Sequence, residues 1–189
     1  MSVGNFEVHH VEGIVVGHGS TVSFAADLEP SERLSKEAAH FVELGRQRLN
    51  SGRFREAIGA FARAIDTGPV DAEVYYYRAF AKLASGDPRR LGARRAASIE
   101  DDLAHATRSG ARGHHLALLL YLRLAHHRRL GIAAPPPSPA DLLAGVQRQG
   151  LCEGKRRELE LFPMLRDLLA RALGPSRPAT GRKASPSCR

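Results

Sequence analysis

From Phe41 onward, apolar residues recur at steps of three and four, the spacing that puts side chains on one face of a helix. Phe41 and Leu44 share such a face. A stronger stripe follows, built from Phe54, Ala57, Ile58, Phe61, Ala64 and Ile65. Ser51-Gly52 interrupts the pattern after Asn50, and glycine is the usual residue just past a helix end. Gly68-Pro69 stops the second stripe, because proline cannot continue the ladder and restricts the residue before it. The pattern predicts two antiparallel helices. They approach closely at Gly45 and Ala57, where there is no bulk to hold them apart.

The pattern then repeats. Asp71 is a good N-cap for the segment Val74 to Leu83. Tyr75 lies 34 residues after Phe41, Ala79 after Gly45 and Leu83 after Leu49, and Ser85-Gly86-Asp87 aligns with Ser51-Gly52-Arg53. The run Phe41-x2-Leu44-Gly45-x2-Arg48, Ala57-x3-Phe61-x2-Ala64, Pro69 resembles the tetratricopeptide repeat, a helix-turn-helix unit of about 34 residues. Phe41 stands where that family usually has tryptophan and Arg48 where it has tyrosine. The resemblance is strongest over residues 38–87 and weaker over 98–110. It implies a solenoid of helix pairs and a role in holding another protein or peptide. One repeat cannot bury its own face, so neighbours are required.

Beyond the second repeat the reading continues with interruptions. Pro88 to Ala97 reads as an insertion, with Ser98-x-x-Asp101 as a capping box that starts the next helix. Ile99, Leu103 and Ala106 give that helix its apolar face, and Gly110 closes it. A further helix is expected from about Gly113 to Leu130. Ala133 to Pro139 is a stiff proline-rich connector, and Ser138 with Pro139 and Asp141 opens another helix that Gly150 ends. The last helix should run from about Gly154 to Leu173, with Leu161, Leu165, Leu168 and Leu169 along one side. Pro163 should kink or split it near Phe162. At the other end, Phe6-x-Val8, Ile14-x-Val16 and Val22-x-Phe24 alternate at strand period.

The expected fold is all-α: a tetratricopeptide-like antiparallel helix-pair solenoid of about seven helices. A short N-terminal β-hairpin is expected over residues 1–28, repeats over 31–132, C-terminal helices packing on the repeats over 138–173, and a disordered basic tail over 174–189. The hairpin would dock on a partner's sheet edge or pair with a second copy, giving self-association.

Composition narrows the function classes. Hydrophobic residues make up 43% of the 189, enough for one core plus tails. Arginine outnumbers lysine 24 to 4, a bias of bacterial type that follows coding composition. The net charge of +8 is therefore discounted as a nucleic-acid signal. Charge is uneven: residues 1–37 hold six acids against two bases, or −4, which leaves +12 for the rest. Cys152 and Cys188 form no CxxC and no framework, so no disulfide is expected and a cytoplasmic location is the simplest reading. No basic start precedes an apolar core, as a secretory signal requires. The longest apolar stretch, Leu116 to Leu122, falls short of the roughly 18–20 residues that span a bilayer, so no membrane is expected as a partner.

Catalytic constellations are missing. There is no GxSxG, no GxGxxG and no P-loop motif, and Cys152 has no local histidine. The expectation is no enzyme, no catalytic residue and no cofactor. His114-His115 and His126-His127 are adjacent pairs, and neighbours on a helix diverge by about 100°, so no metal site is expected either. The basic runs Arg89-Arg90, Arg94-Arg95, His126 to Arg129 and Lys155 to Arg157 read first as solvated surface. Their alternative reading, a basic nucleic-acid-associated accessory protein, lacks the exposed aromatics that single strands stack on.

In the family that this chain resembles, the first helix of each repeat lines a concave groove. That resemblance puts Val42, Arg46 and Leu49 in the groove from the first repeat, Tyr76, Phe80 and Leu83 from the second, and Leu118 and Leu122 from the third. Val42 and Arg46 replace the Lys and Asn that clamp acidic chain ends in chaperone-tail receptors of the family. The expected function is a non-catalytic adaptor whose apolar groove takes a peptide or amphipathic helix with a carboxylate near Arg46. The chain's own terminal helix is the competing occupant.

Overall fold

The computed structural model describes residues 30–174 apart from 88, 89, 109, 128, 129 and 132. Every regular element among them is helical: α1 (Pro30–Asn50), α2 (Phe54–Thr67), α3 (Ala72–Ala84), α4 (Ala93–Arg108), α5 (Gly113–Leu122), α6 (Pro139–Gln149), α7 (Glu153–Leu159) and α8 (Pro163–Leu173). A single π-helical turn, Arg123–His127, continues α5. The all-α expectation holds across these residues. The N-terminal hairpin and the basic tail from 175 onward lie outside them. No helix among the described residues is long and apolar enough to cross a membrane.

Local chemistry sets the boundaries. Gly52 takes φ +70°, and the carbonyls of Gln47, Arg48 and Leu49 are closed by the amides of residues 51–53. The Asp71 carboxylate accepts from the Glu73 amide at 3.0 Å and starts α3. Ser138 and Asp141 form a reciprocal capping box at the start of α6, with Pro139 in its first turn. Pro163 divides the last helical pattern, so Phe162 is the N-cap of α8 and a separate seven-residue α7 precedes it.

Helices pack in chain order, α1 on α2, α2 on α3 and α3 on α4. A Cβ at Gly45 would lie 2.5–2.9 Å from the Phe61 ring, so only glycine lets α1 sit this close to α2. Ala57, Phe61 and Ala64 are fully buried at that seam. The larger core joins α3, α4 and α5 to the C-terminal helices: Tyr76, Phe80, Leu83, Ile99, Leu103, Leu118 and Leu122 cluster with Val146, Leu159, Phe162, Leu165 and Leu169. The Phe80 and Tyr121 rings meet Phe162 at centroid distances of 5.2 and 4.7 Å.

Three expectations change. Ser98-x-x-Asp101 is no capping box: α4 already begins at Ala93, and the Ser98 hydroxyl faces α3, accepting from Lys82 Nζ at 2.7 Å. The helix from Gly113 ends its α-helical part at Leu122 and passes through the π turn. Leu161 is off the buried stripe and 51% exposed, because the break at Pro163 turns it outward. The expectation of no disulfide involves Cys188, which lies outside the described residues.

Candidate functional site

The sequence-predicted groove residues separate into two sets. Tyr76, Phe80, Leu83, Leu118 and Leu122 are buried in the larger core, covered by Leu159, Phe162, Leu165 and Leu169. The chain's own C-terminal helices cover these five, so they are core side chains here, and of them only Phe80 also borders the cleft described next. Val42 and Leu49 are half-buried and Arg46 is exposed on α1. Beside them lies an open cleft of about 470 Å³ between α1, the start of α2, α3 and the end of α7, lined by Arg46, Leu49, Asn50, Gly52, Phe54, Tyr77, Phe80, Glu158 and Leu161. Its floor is aromatic and aliphatic. Its rim carries one cation and one carboxylate, with the Arg46 guanidinium 5.5 Å from the centre of the Tyr77 ring.

Behind Tyr77 lies a polar cluster that sequence reasoning missed. Glu73 sits in the first turn of α3, His114 and His115 in the first turn of α5, and Lys155 near the start of α7. The Glu73 Oε1 atom accepts from Arg112 at 2.9 Å, His114 Nε2 at 2.8 Å and His115 Nε2 at 3.2 Å. Lys155 Nζ lies 3.4 Å from Glu73 Oε2. It donates to the Tyr77 hydroxyl at 2.8 Å and to Glu158 Oε2 at 3.2 Å. Its ammonium is also 4.1 and 4.7 Å from the ring centres of Tyr77 and Tyr76. Lys155 is only 8% exposed, so this member of the Lys155–Arg157 run is not solvated surface.

Burial alone would raise the Glu73 pKa. The hydrogen bonds from His114 and His115 and the nearby positive charge outweigh it and hold the carboxyl far below its usual range. Burial lowers the His114 pKa, so that ring is neutral near pH 7. For Lys155, burial opposes the charge, but the Tyr77 hydrogen bond and the carboxylates Glu158 and Glu73 prevail and raise its pKa.

Glu73, His114 and His115 present ligand-type atoms within 4.8 Å of one another, the donor set of a two-histidine, one-carboxylate metal site. Their surroundings do not fit a cation. The ammonium of Lys155 and the guanidinium of Arg112 already stand at 3.4 and 2.9 Å from the two carboxylate oxygens. A metal-bound His115 would carry its proton on Nδ1, and Nδ1 is buried with no hydrogen-bond partner among the described residues. Metal-ligating imidazoles almost always have one there. The cluster is therefore read as an ionic joint between α3, α5 and α7. Only the adjacency of His114 and His115 was visible in the sequence. Their convergence on a residue 41 positions earlier required the fold.

The chain matches no protein-family model, none of the curated proteins and no solved structure.

Proposed function

We propose that this chain is a non-catalytic protein-binding scaffold of the tetratricopeptide type. It takes an apolar segment of a partner protein in the cleft between α1, the start of α2 and α7. The open cleft carries the reading: Leu49, Phe54, Tyr77 and Leu161 give it an apolar lining, and Leu161 is a large aliphatic side chain left half in water. Arg46 at the rim suits a partner carboxylate beside its apolar anchor. Short helices in chain order and the close seam at Gly45 support the repeat resemblance. A cytoplasmic location belongs to the same proposal, as the setting where such adaptors act.

Affinity capture from native lysate with wild type and with Leu161→Asp tests this reading. Leu161 lies outside the core, so the variant should melt like wild type while losing the specific partner. Equal recovery of every protein by the two baits would contradict it.

A further inference from the structure

We propose that Glu73, Tyr76 and Tyr77 form a lysine-recognition site, which Lys155 fills from within the chain. A partner helix can enter it with a lysine placed ahead of an apolar stripe. This inference rests on the proposed binding function and names the chemistry of the partner.

The cradle is built for a slim-stemmed cation. Two aromatic faces stand within the roughly 6 Å over which a cation is attracted to a ring. A phenol oxygen accepts from the ammonium, and a nearly buried carboxylate balances its charge. An apolar side chain in the same place would leave that carboxylate without its ammonium partner. Arg112, His114 and His115 all crowd onto Glu73 Oε1, which leaves Oε2 directed to the lysine side.

Lys155 uses the site incompletely. Glu73 Oε2 and the Tyr76 hydroxyl are buried and take no hydrogen bond among the described residues. Lys155 instead spends one N–H on Glu158 of its own helix, a side chain that is 40% exposed. A lysine arriving on another helix is free of that geometry and can satisfy Oε2. The element that delivers Lys155 is also weakly held by itself. The α7 helix has seven residues and a break at its end, and an isolated helix of that length has no stability of its own. Its neighbour, the open cleft, is bordered by Glu158 of α7 and by Leu161 just past its end. The chain's own segment spells the pattern that a partner would mimic: Lys155, Leu159, Phe162, Leu165 and Leu169, all buried.

The test uses the full chain and a fluorescent peptide with the sequence of residues 153–174, read by anisotropy. Wild type should bind it weakly. The Lys155→Gln chain, whose internal ligand is impaired, should bind at least about ten times more tightly. A peptide carrying the same Lys155→Gln change should lose that gain. If Lys155→Gln does not fold, hydrogen exchange of the wild-type chain decides: excess peptide should speed exchange within 153–173 and leave α1 and α2 unchanged. Equal binding of the lysine and glutamine peptides, or no binding together with unaltered exchange, would overturn the inference. Loss of the lysate partner in Leu161→Asp is read separately, so the cleft reading can stand where this one fails.

Discussion

The seam between α1 and α2 and the joint between α3, α5 and α7 solve the same packing problem with opposite chemistry. At the first, Gly45, Ala57 and Ala64 remove bulk, and Phe61 fills the space. Its ion pairs, Arg48 with Glu56 and Arg53 with Glu56, lie in solvent and contribute little. At the second, a carboxylate is taken out of water and surrounded by Arg112, His114, His115 and Lys155. The adjoining α3–α4 contact follows the second manner, with Asp102 2% exposed between Arg78 and Lys82. Apolar seams tolerate volume-conserving change. Buried ion clusters fix partners, because removing one member strands the others.

The largest effect expected from this contrast is at Glu73. Replacing it with leucine leaves the buried Lys155 ammonium with only the 40% exposed Glu158 as counter-charge and should cost about 3–5 kcal/mol. Urea unfolding measures it, and a cost below about 1 kcal/mol would mean that the joint is not ionic in effect. A charge forced into the other seam, Ala57→Arg, should unfold the domain for the mirror-image reason, since the site offers no partner. Next in size is Gly45→Ala. Its Cβ would meet the Phe61 ring, so the change should destabilise by about 1–3 kcal/mol through overpacking. A stabilising outcome, the usual gain from alanine in a helix, would show that the seam has slack.

The two regions also differ in how far the sequence announces them. Helix-period stripes, the small residues Gly45 and Ala57, the Asp71 and Ser138 caps and the break at Pro163 are local signals, and each describes what its own segment does. Glu73, His114 and Lys155 are far apart in the chain, and nothing about any one of them says that it is buried. Sequence reasoning placed Lys155 on a solvated basic face, and it read Tyr76, Phe80, Leu83, Leu118 and Leu122 as groove lining from a family register. Those five are buried against Leu159, Phe162, Leu165 and Leu169 from the segment of α7 and α8. Whether a concave face is open depends on what later segments cover it, and periodicity carries no such information. Ser98 misled for a related reason: a capping motif is also a run of polar residues on a helix surface, and here its serine serves Lys82.

Acid should act on one region and spare the other. The His114 pKa is lowered by burial, so the unfolded chain takes up that proton first, and stability falls as pH drops below about 6.5. The depressed Glu73 carboxyl works in the same direction at more acid pH, its contribution being present above about 4.3 and lost below. Melting curves at pH 7.5, 6 and 5 should show a decline that His114→Asn reduces. An unchanged slope would exclude His114 as its source. The smallest effect is expected at the exposed pairs: Glu56→Ala should change stability by no more than about 1 kcal/mol, with most of that lost in high salt.

The central claim is that a partner protein seats in the cleft beside α7. It is tested most directly by photocrosslinking in cells, with the crosslinker at position 161 in one chain and at position 108, exposed near the end of α4, in another. The account predicts a discrete crosslinked partner from position 161 that is absent from position 108 and lost when Leu49→Asp is added. The same adducts from both positions, or an adduct from 161 that survives Leu49→Asp, would contradict it.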